Sequence, residues 1–468
     1  MSKLCFIYPP KQMANQLYYS KKIWKIYSKN AIKLPSLALA YLAATMRNKG
    51  HEVMIIDANA MGWSNCDVIK KIWDEQPDYL CFSLITDTFQ NSLESIRKIK
   101  SMCNKPVIVG GPHMSVYPKE TMEYEELDYG VIGDGFETLP ELIDKLDNDD
   151  FKGLRKVEGL VYYDRTNLVM TNPRNKRVNL DDVPFPARDL LPNDKYDIVL
   201  SKRKNVTVFL TALGCPYYCK YCCTDTKIVY RSPESIVDEI EECKKIGINE
   251  IDIYDETFTV NKDRVHKILD LIEERNIDIL FSIRTRCDCV DKRLLERLAD
   301  NGCVRVNFGI ESASERVLRS IGRNMSKKTI SDAIQWAKDA GIQVLGFFMI
   351  GLPGETEEEI KETLRFMRKL PLDFIQLNKF TYIPNSEIYR SVMKKYGRDY
   401  WKEYVEGKIT LDEFPSFERT ITEEKLNEYL EEGYHKFYFR VSYIWNKFIS
   451  IKSFGEFWRL AKGALDLK

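Results

Sequence analysis

Thr211-Ala-Leu-Gly-Cys215-Pro-Tyr-Tyr-Cys219-Lys-Tyr-Cys222-Cys223 follows directly on the run Val206–Leu210. That run, VTVFL, is short, apolar and rich in β-branched residues, as a strand buried on both faces should be. A tight loop carrying thiols at a CxxxCxxC spacing therefore leaves the C-terminal end of a strand. Downstream the pattern repeats, with strands expected at Glu250–Tyr254, Leu280–Arg284, Val304–Gly309, Gln343–Ile350 and Phe374–Phe380 and a helical period between each pair. Six such units in a row predict a partial (β/α)6 barrel of the TIM type, in which chemistry collects at the C-terminal strand ends. The segments found there are the cysteine loop, YDETFT (254–259), RTR (284–286), GIES (309–312) and GLPGE (351–355). They are expected to converge on one face.

Upstream, strands at Leu4–Tyr8, Val53–Asp57, Tyr79–Ser83, Pro106–Val109 and Tyr129–Ile132 alternate with helical segments such as LALAYLAATMRNKG. This predicts a doubly wound parallel sheet, whose ligand would sit beyond the carboxyl ends of the strands. The small residues lie there: Ser83 and Thr86, Gly110-Gly111-Pro112-His113, and Gly133-Asp134-Gly135. Glycines at such turns let backbone N–H groups approach a ligand, although tight strand-to-helix turns alone would also use them. The expected division of this α/β chain is 1–145, a 146–205 linker with a small hairpin, 206–390, and a helical C-terminal region over 391–468.

Composition narrows the class. The 468 residues are 44% hydrophobic and 30% charged, with 70 basic against 70 acidic residues, which fits folded domains and gives no sign of a nucleic-acid partner. The start, MSKLCFIYPP, reads as a strand rather than an export signal, so a cytoplasmic location is expected. No window approaches the roughly 18 apolar residues of a membrane span. The twelve cysteines then read as thiols or metal ligands, with Cys5, Cys81, Cys243 and Cys303 as buried core thiols.

Cys215, Cys219 and Cys222 are different. Structural zinc normally takes four ligands, and an ordinary four-iron cluster takes four thiolates. Three thiolates around an iron–sulfur cube leave one iron open, able to chelate the amino and carboxylate groups of S-adenosylmethionine (SAM) and to cleave it by one-electron reduction. A zinc site completed by Cys223 is the alternative.

With these residues in place, the segment from about Val206 to Tyr389 resembles the radical SAM superfamily, whose CxxxCxφC signature is matched with Tyr221 as the aromatic residue. The resemblance implies that Cys215, Cys219 and Cys222 ligate a [4Fe–4S] cluster. It implies that Asp255, Glu256 and Thr257 meet the amino group of SAM, that Arg284 and Glu311 meet its carboxylate and ribose, and that Gly351 and Glu355 shape the loop near adenine. Helix capping by Asp255 or Glu256, and an Arg284–Glu311 ion pair, are the structural alternatives. The glycine turns of the first domain, read together with this barrel, resemble the cobalamin-binding domain found ahead of many such enzymes, implying cofactor contacts from Ser83, Thr86, Gly110, Gly111, Gly133 and Gly135. The DxHxxG signature of a cobalt-ligating histidine is absent, so base-off binding without a protein imidazole is implied.

The activity implied is formation of a 5′-deoxyadenosyl radical and methylation of an unactivated carbon in a hydrophobic, lipid- or tetrapyrrole-like small molecule, with flavodoxin or ferredoxin as reductant. A radical ring-forming or rearrangement enzyme, and a non-catalytic iron–sulfur redox protein, are the alternatives. From Tyr434 to Lys468, seven basic residues against two acidic ones interleave with aromatics. Such a tail suits peripheral contact with an anionic membrane or with an apolar substrate; packing across the barrel mouth is the other reading.

Overall fold

The computed structural model describes residues 1–10, 16–29, 33–175, 177–196, 200–415, 417, 419–441 and 443–444. The basic tail from residue 445 onward lies outside the described residues. Among those described, no helix is long and apolar enough to cross a membrane.

The first sheet is built from β1 (Lys3–Tyr8), β2 (Glu52–Asp57), β3 (Tyr79–Ser83), β4 (Val107–Gly110) and β5 (Tyr129–Val131), followed by β6 (Leu160–Asp164) and β7 (Asn167–Met170). Its order is β2-β1-β3-β4-β5-β6-β7, parallel through β5. The hairpin of the 146–205 segment is paired antiparallel onto β5, so it continues the sheet instead of standing apart from it. Alternate residues of β1 enter opposite cores. Leu4 and Phe6 pack with Leu39, Ala43 and Leu160, while Cys5 and Ile7 join Val68, Phe89 and Ile96. Burial of both faces is why the strands read as unbroken apolar runs.

The second sheet contains β8 (Val206–Phe209), then, after a two-residue ribbon formed by β9 (Ala212–Leu213) and β10 (Val229–Tyr230), β11 (Glu250–Ile253), β12 (Leu280–Arg286), β13 (Cys303–Glu311), β14 (Gln343–Ile350) and β15 (Phe374–Lys379). Its six parallel strands stand in chain order from β8 to β15, the arrangement of an open barrel. Helices cover its outside by ordinary amphipathic packing. The helix Lys262–Glu274, for example, buries Val265, Ile268, Leu269 and Ile272 and is capped by Asn261, whose side chain accepts from the Arg264 N–H at 3.0 Å. Two strands run beyond their expected ends, β12 to Arg286 and β13 to Glu311, and both extensions carry residues of the site.

The C-terminal region is helical and ties the two sheets together. Its segment Tyr400–Val405 lies against the first domain, where Gln90 donates to Tyr404 O at 2.9 Å, Tyr124 to Val405 O at 2.5 Å, and Lys402 pairs with Glu120 at 2.8 Å. Asp399 accepts hydroxyl protons from Tyr117 of that domain (3.0 Å) and from Tyr389 (2.8 Å). The helix Glu423–Tyr438 packs on β15, with the Tyr434 hydroxyl bonded to the Leu377 backbone.

Candidate active site

The cysteine loop is shaped at its base by the β9–β10 ribbon and by Gly214. This glycine has φ +92°, and a β-carbon there would lie 2.4 Å from Lys227 O, so no other residue fits the turn. The Cys215 N–H donates to Asp225 O at 2.9 Å and the Cys222 N–H to Cys219 O at 2.9 Å. All three thiols are half-buried, and each has its own neighbours. Cys215 Sγ lies 3.6 Å from Thr257 Oγ1, Cys219 Sγ 3.9 Å from Arg286 Nη1, and Cys222 Sγ 3.1 Å from Thr224 Oγ1 and 3.4 Å from its N–H. The Thr257 hydroxyl gives its proton to Glu256 O at 2.7 Å, so the Cys215 thiol donates to Thr257, while the sulfurs of Cys219 and Cys222 accept from the Arg286 guanidinium and the Thr224 amide. Among the described residues no three His, Cys, Asp or Glu side chains converge as ligands of a single metal ion would. Three half-buried thiols on one short loop are a donor set that suits the corners of an iron–sulfur cluster. Cys5, Cys81, Cys243 and Cys303 are buried, and Cys223 is exposed.

The strand ends place the other expected residues unequally. Thr257 touches Cys215, and Glu256 is exposed beside Thr224. Asp255 points away from them. One of its oxygens accepts from the N–H groups of Thr211 (2.7 Å) and Ala212 (3.2 Å), the other from the Thr211 hydroxyl, so it braces the start of the cysteine loop and caps no helix. Arg284 is not paired with Glu311; it lies over the Tyr254 ring at 3.3 Å and donates to Ile253 O at 3.2 Å. Glu311 instead meets Arg323 at 3.3 Å and accepts from the Tyr221 hydroxyl at 3.2 Å. Its φ of +66° falls at a register shift between β13 and β14, a strained backbone of the kind concentrated at functional sites. Arg286 and Arg323 were not singled out in the sequence. Arg286 stacks on Tyr217 at 3.9 Å and pairs with Asp288 at 2.7 Å. The signal for it was there, since RTR puts both arginines on one face of a strand.

Glu355 closes the loop after β14. One carboxylate oxygen accepts from the Gly351 N–H (2.7 Å) and the Leu352 N–H (3.1 Å); the other, Oε1, is buried with no partner among the described residues. Burial pushes this carboxyl up to about 8 against the pull of those two amides. Its ordinary value is 4.5, so between about pH 4.5 and 8 the folded chain holds a proton that the unfolded chain has released. Stability should therefore fall as pH rises across that window and then level off. Glu355→Gln should flatten the slope and gain up to roughly 3–5 kcal/mol at pH 8, measured by urea unfolding at several pH values; a parent chain whose midpoint rises from pH 5 to 8 in step with the variant's would contradict this.

Beyond the carboxyl ends of β3, β4 and β5 lies a cavity of about 370 Å³, lined by Ser83, Gly110, Gly111, Gly133, Asp134 and Gly135 among apolar side chains. A β-carbon on Gly133 would meet no atom within 4 Å and would project into open space, while one on Gly111 would collide with Ser83 Oγ at 2.6 Å. The side-chain-free cradle fits the approach of a large planar ligand. Its remaining wall comes from elsewhere in the chain: Leu180 and Val183 of the 146–205 segment, and Leu210, Leu213 and Arg231 at the barrel mouth. None of these five stood out in the sequence: the four apolar ones carry no mark of what they cover, and the sequence does not show that Arg231 pairs with Glu239 at the cavity wall. Thr86 is not among the cavity's lining residues. The Thr121 hydroxyl donates to Tyr117 O at 2.6 Å, so His113 Nε2 must donate to that oxygen (2.8 Å), leaving Nδ1 to accept the Thr86 hydroxyl proton at 3.1 Å. Burial pushes His113 down to about 3, and it stacks on Phe89 at 4.3 Å; it is a neutral core residue with both nitrogens used.

A glycine cradle over a parallel sheet, facing a three-cysteine loop at the mouth of an open barrel, defines a two-cofactor radical enzyme. The Radical SAM superfamily model matches residues 210–367 and the B12 binding domain model residues 27–143. An uncharacterized methyltransferase of Pyrococcus horikoshii is 32% identical over 418 residues, covering 87% of this chain and 88% of its own. The chain belongs to the family of radical SAM enzymes that carry a B12-binding domain. The cytidylyl-2-hydroxyethylphosphonate methyltransferase of Streptomyces wedmorensis is 24% identical over 420 residues, with coverage of 77% and 78%. In fold, the chain is similar to the radical SAM methyltransferase TsrM of Kitasatospora setae solved with cobalamin and a [4Fe–4S] cluster, with TM-score 0.66, 20% identity and coverage of 84% and 76%.

Proposed function

We propose that this enzyme methylates an unactivated carbon of a small organic substrate. In this reading Cys215, Cys219 and Cys222 hold a [4Fe–4S] cluster, and SAM lies against it among Glu256, Thr257, Arg284, Glu311 and the Gly351–Glu355 loop. Cobalamin occupies the cradle of Ser83, Gly110, Gly111, Gly133 and Gly135. When bound, these groups supply the electron, the radical source and the transferable methyl. The chain's own residues do the rest. Arg286 and the Thr224 amide donate to the sulfurs of Cys219 and Cys222, Glu311 and Arg323 fix the Tyr221 end of the loop, and the apolar walls keep water from a reactive carbon. His113, with both nitrogens committed, offers no ligand to a metal.

The observation that supports this best is the shared wall. Leu210 and Leu213, which lead into the cysteine loop, also line the cavity above the glycine cradle, which supports a reading in which the two sites are neighbours. The family leaves the substrate's polarity open, since the Streptomyces relative is named for a cytidylyl phosphonate. An apolar substrate is favoured here by the aromatic residues of the C-terminal region, and a flavodoxin or ferredoxin reductant, a cytoplasmic location and the division at about residues 145, 205 and 390 complete the proposal.

Anaerobic reconstitution with iron, sulfide and hydroxocobalamin tests it. The expected result is about one cobalamin per chain and formation of 5′-deoxyadenosine from SAM under strong reductant. With substrate, the product should gain the mass of a methyl labelled in SAM. A product that has lost two hydrogens would favour ring formation, and a protein that binds neither group would overturn the proposal.

A further inference from the structure

The outer side of the cysteine loop is open to solvent. Tyr218, between Cys215 and Cys219, keeps 62% of its surface, and the Lys220 side chain keeps 42%. Two helices hold the loop from this side. The Lys220 N–H donates to Ile321 O at 3.1 Å, the Ile388 N–H donates to Lys220 O at 3.1 Å, and Gly322 lies so close that a β-carbon would come within 2.5 Å of Tyr218 O. The helix Glu387–Tyr396 buries Tyr389 and Val392 and turns Arg390 and Lys394 outward. On the helix Glu315–Ser320, which ends just before Ile321, the Arg319 side chain is 61% exposed. The loop residue Lys220 and the two helices bonded to it thus carry exposed Arg319, Arg390 and Lys394, with Lys220 paired to Glu387 at 4.0 Å and Arg319 to Glu315 at 3.7 Å, in a chain whose total charge is balanced.

At its base the loop meets the first domain's side, where Leu210 and Leu213 help to wall the cavity over the glycine cradle. An electron-donating protein can reach the loop by a short path from the open side around Tyr218. We infer that this basic face around Tyr218 receives an acidic electron carrier of the flavodoxin or ferredoxin class. The inference rests on the functional reading above, because the electron is needed only if the loop holds a cluster. One electron would leave the carrier's anionic hydroquinone flavin, which becomes the neutral semiquinone with no proton lost, and would lower the charge state of a cluster held by the loop by one unit. Redox encounters of this kind use small contact areas, and charge acts chiefly on the rate of association.

The test compares the reconstituted full chain with an Arg319→Glu, Arg390→Glu, Lys394→Glu variant, using reduced flavodoxin or dithionite as the electron source. At low salt the flavodoxin-driven rate of cluster bleaching should fall at least about tenfold in the variant, and the two proteins should converge as salt is raised. Binding of oxidised flavodoxin to the immobilised chain should weaken in parallel, and reduction by dithionite should be unchanged. Equal flavodoxin rates in the two proteins, with dithionite reducing both, would overturn the inference. If dithionite reduced neither, the cluster reading itself would fall, and this inference with it.

Discussion

Replacing Cys219 by alanine should leave a folded protein that retains almost no iron and cleaves no SAM. The argument is one of corners. A cube held by three thiolates loses a third of its protein bonds with one substitution, and among the described residues nothing found beside Cys219 can take the place of its sulfur. Its neighbours are the guanidiniums of Arg286, at 3.9 Å, and of Arg323, donors without a lone pair to offer. Cys289 is engaged by the Tyr217 hydroxyl at 2.9 Å, and Cys223 is turned to solvent. Cys223→Ala should therefore keep its iron, which also separates the cluster from a zinc site using Cys223 as fourth ligand. Iron content, the electron paramagnetic resonance signal of the reduced protein and 5′-deoxyadenosine yield are the three readouts. Undiminished iron in Cys219→Ala would refute the ligand assignment, whatever its activity.

Both sheets were legible from pattern because their strands are buried on both faces, and the cysteine loop was legible because its chemistry depends on spacing along the chain. What sequence could not give is the direction in which a side chain leaves a strand end. Asp255, Glu256 and Thr257 are consecutive, yet Asp255 turns inward to brace Thr211 while the next two reach the loop. Which of three neighbours does which is fixed by one peptide's rotation, and no periodicity records it. The partner of Glu311 was missed for a related reason. Arg323 lies beyond a helix and a turn, and the competing candidate, Arg284, had the right charge at the end of the adjacent strand but stacks on Tyr254 instead. Thr86 misled because a small hydroxyl residue after a strand suits a ligand contact as well as it suits a core hydrogen bond. The proton balance around His113 decides for the latter.

The largest loss of stability is expected at a residue that touches neither cofactor site. Glu239, on the helix Pro233–Lys245, is fully buried between two buried arginines, with one oxygen on Arg188 and the other on Arg231. Arg188 comes from the 146–205 segment and also donates to Val208 O at 3.1 Å; Arg231 donates to Leu210 O at 3.0 Å and forms part of the cavity wall. Glu239→Ala would leave two guanidiniums buried against Phe209 with no counter-charge, and arginine cannot escape by losing its proton. A loss of about 3–5 kcal/mol is expected, read as a lower urea midpoint, together with weaker hydroxocobalamin binding as Arg231 shifts. Glu239→Gln should lose less, because its amide oxygen still accepts from one arginine. Arg188→Met, Glu239→Leu and Arg231→Met made together remove the charges along with their partner and should recover much of the loss. Recovery should stop short of the parent, since the Val208 and Leu210 carbonyls then lack those donors. If Glu239→Ala unfolded at the parent's midpoint, the two arginines would have to be satisfied without it, and the join between the connecting segment and the barrel would need another explanation.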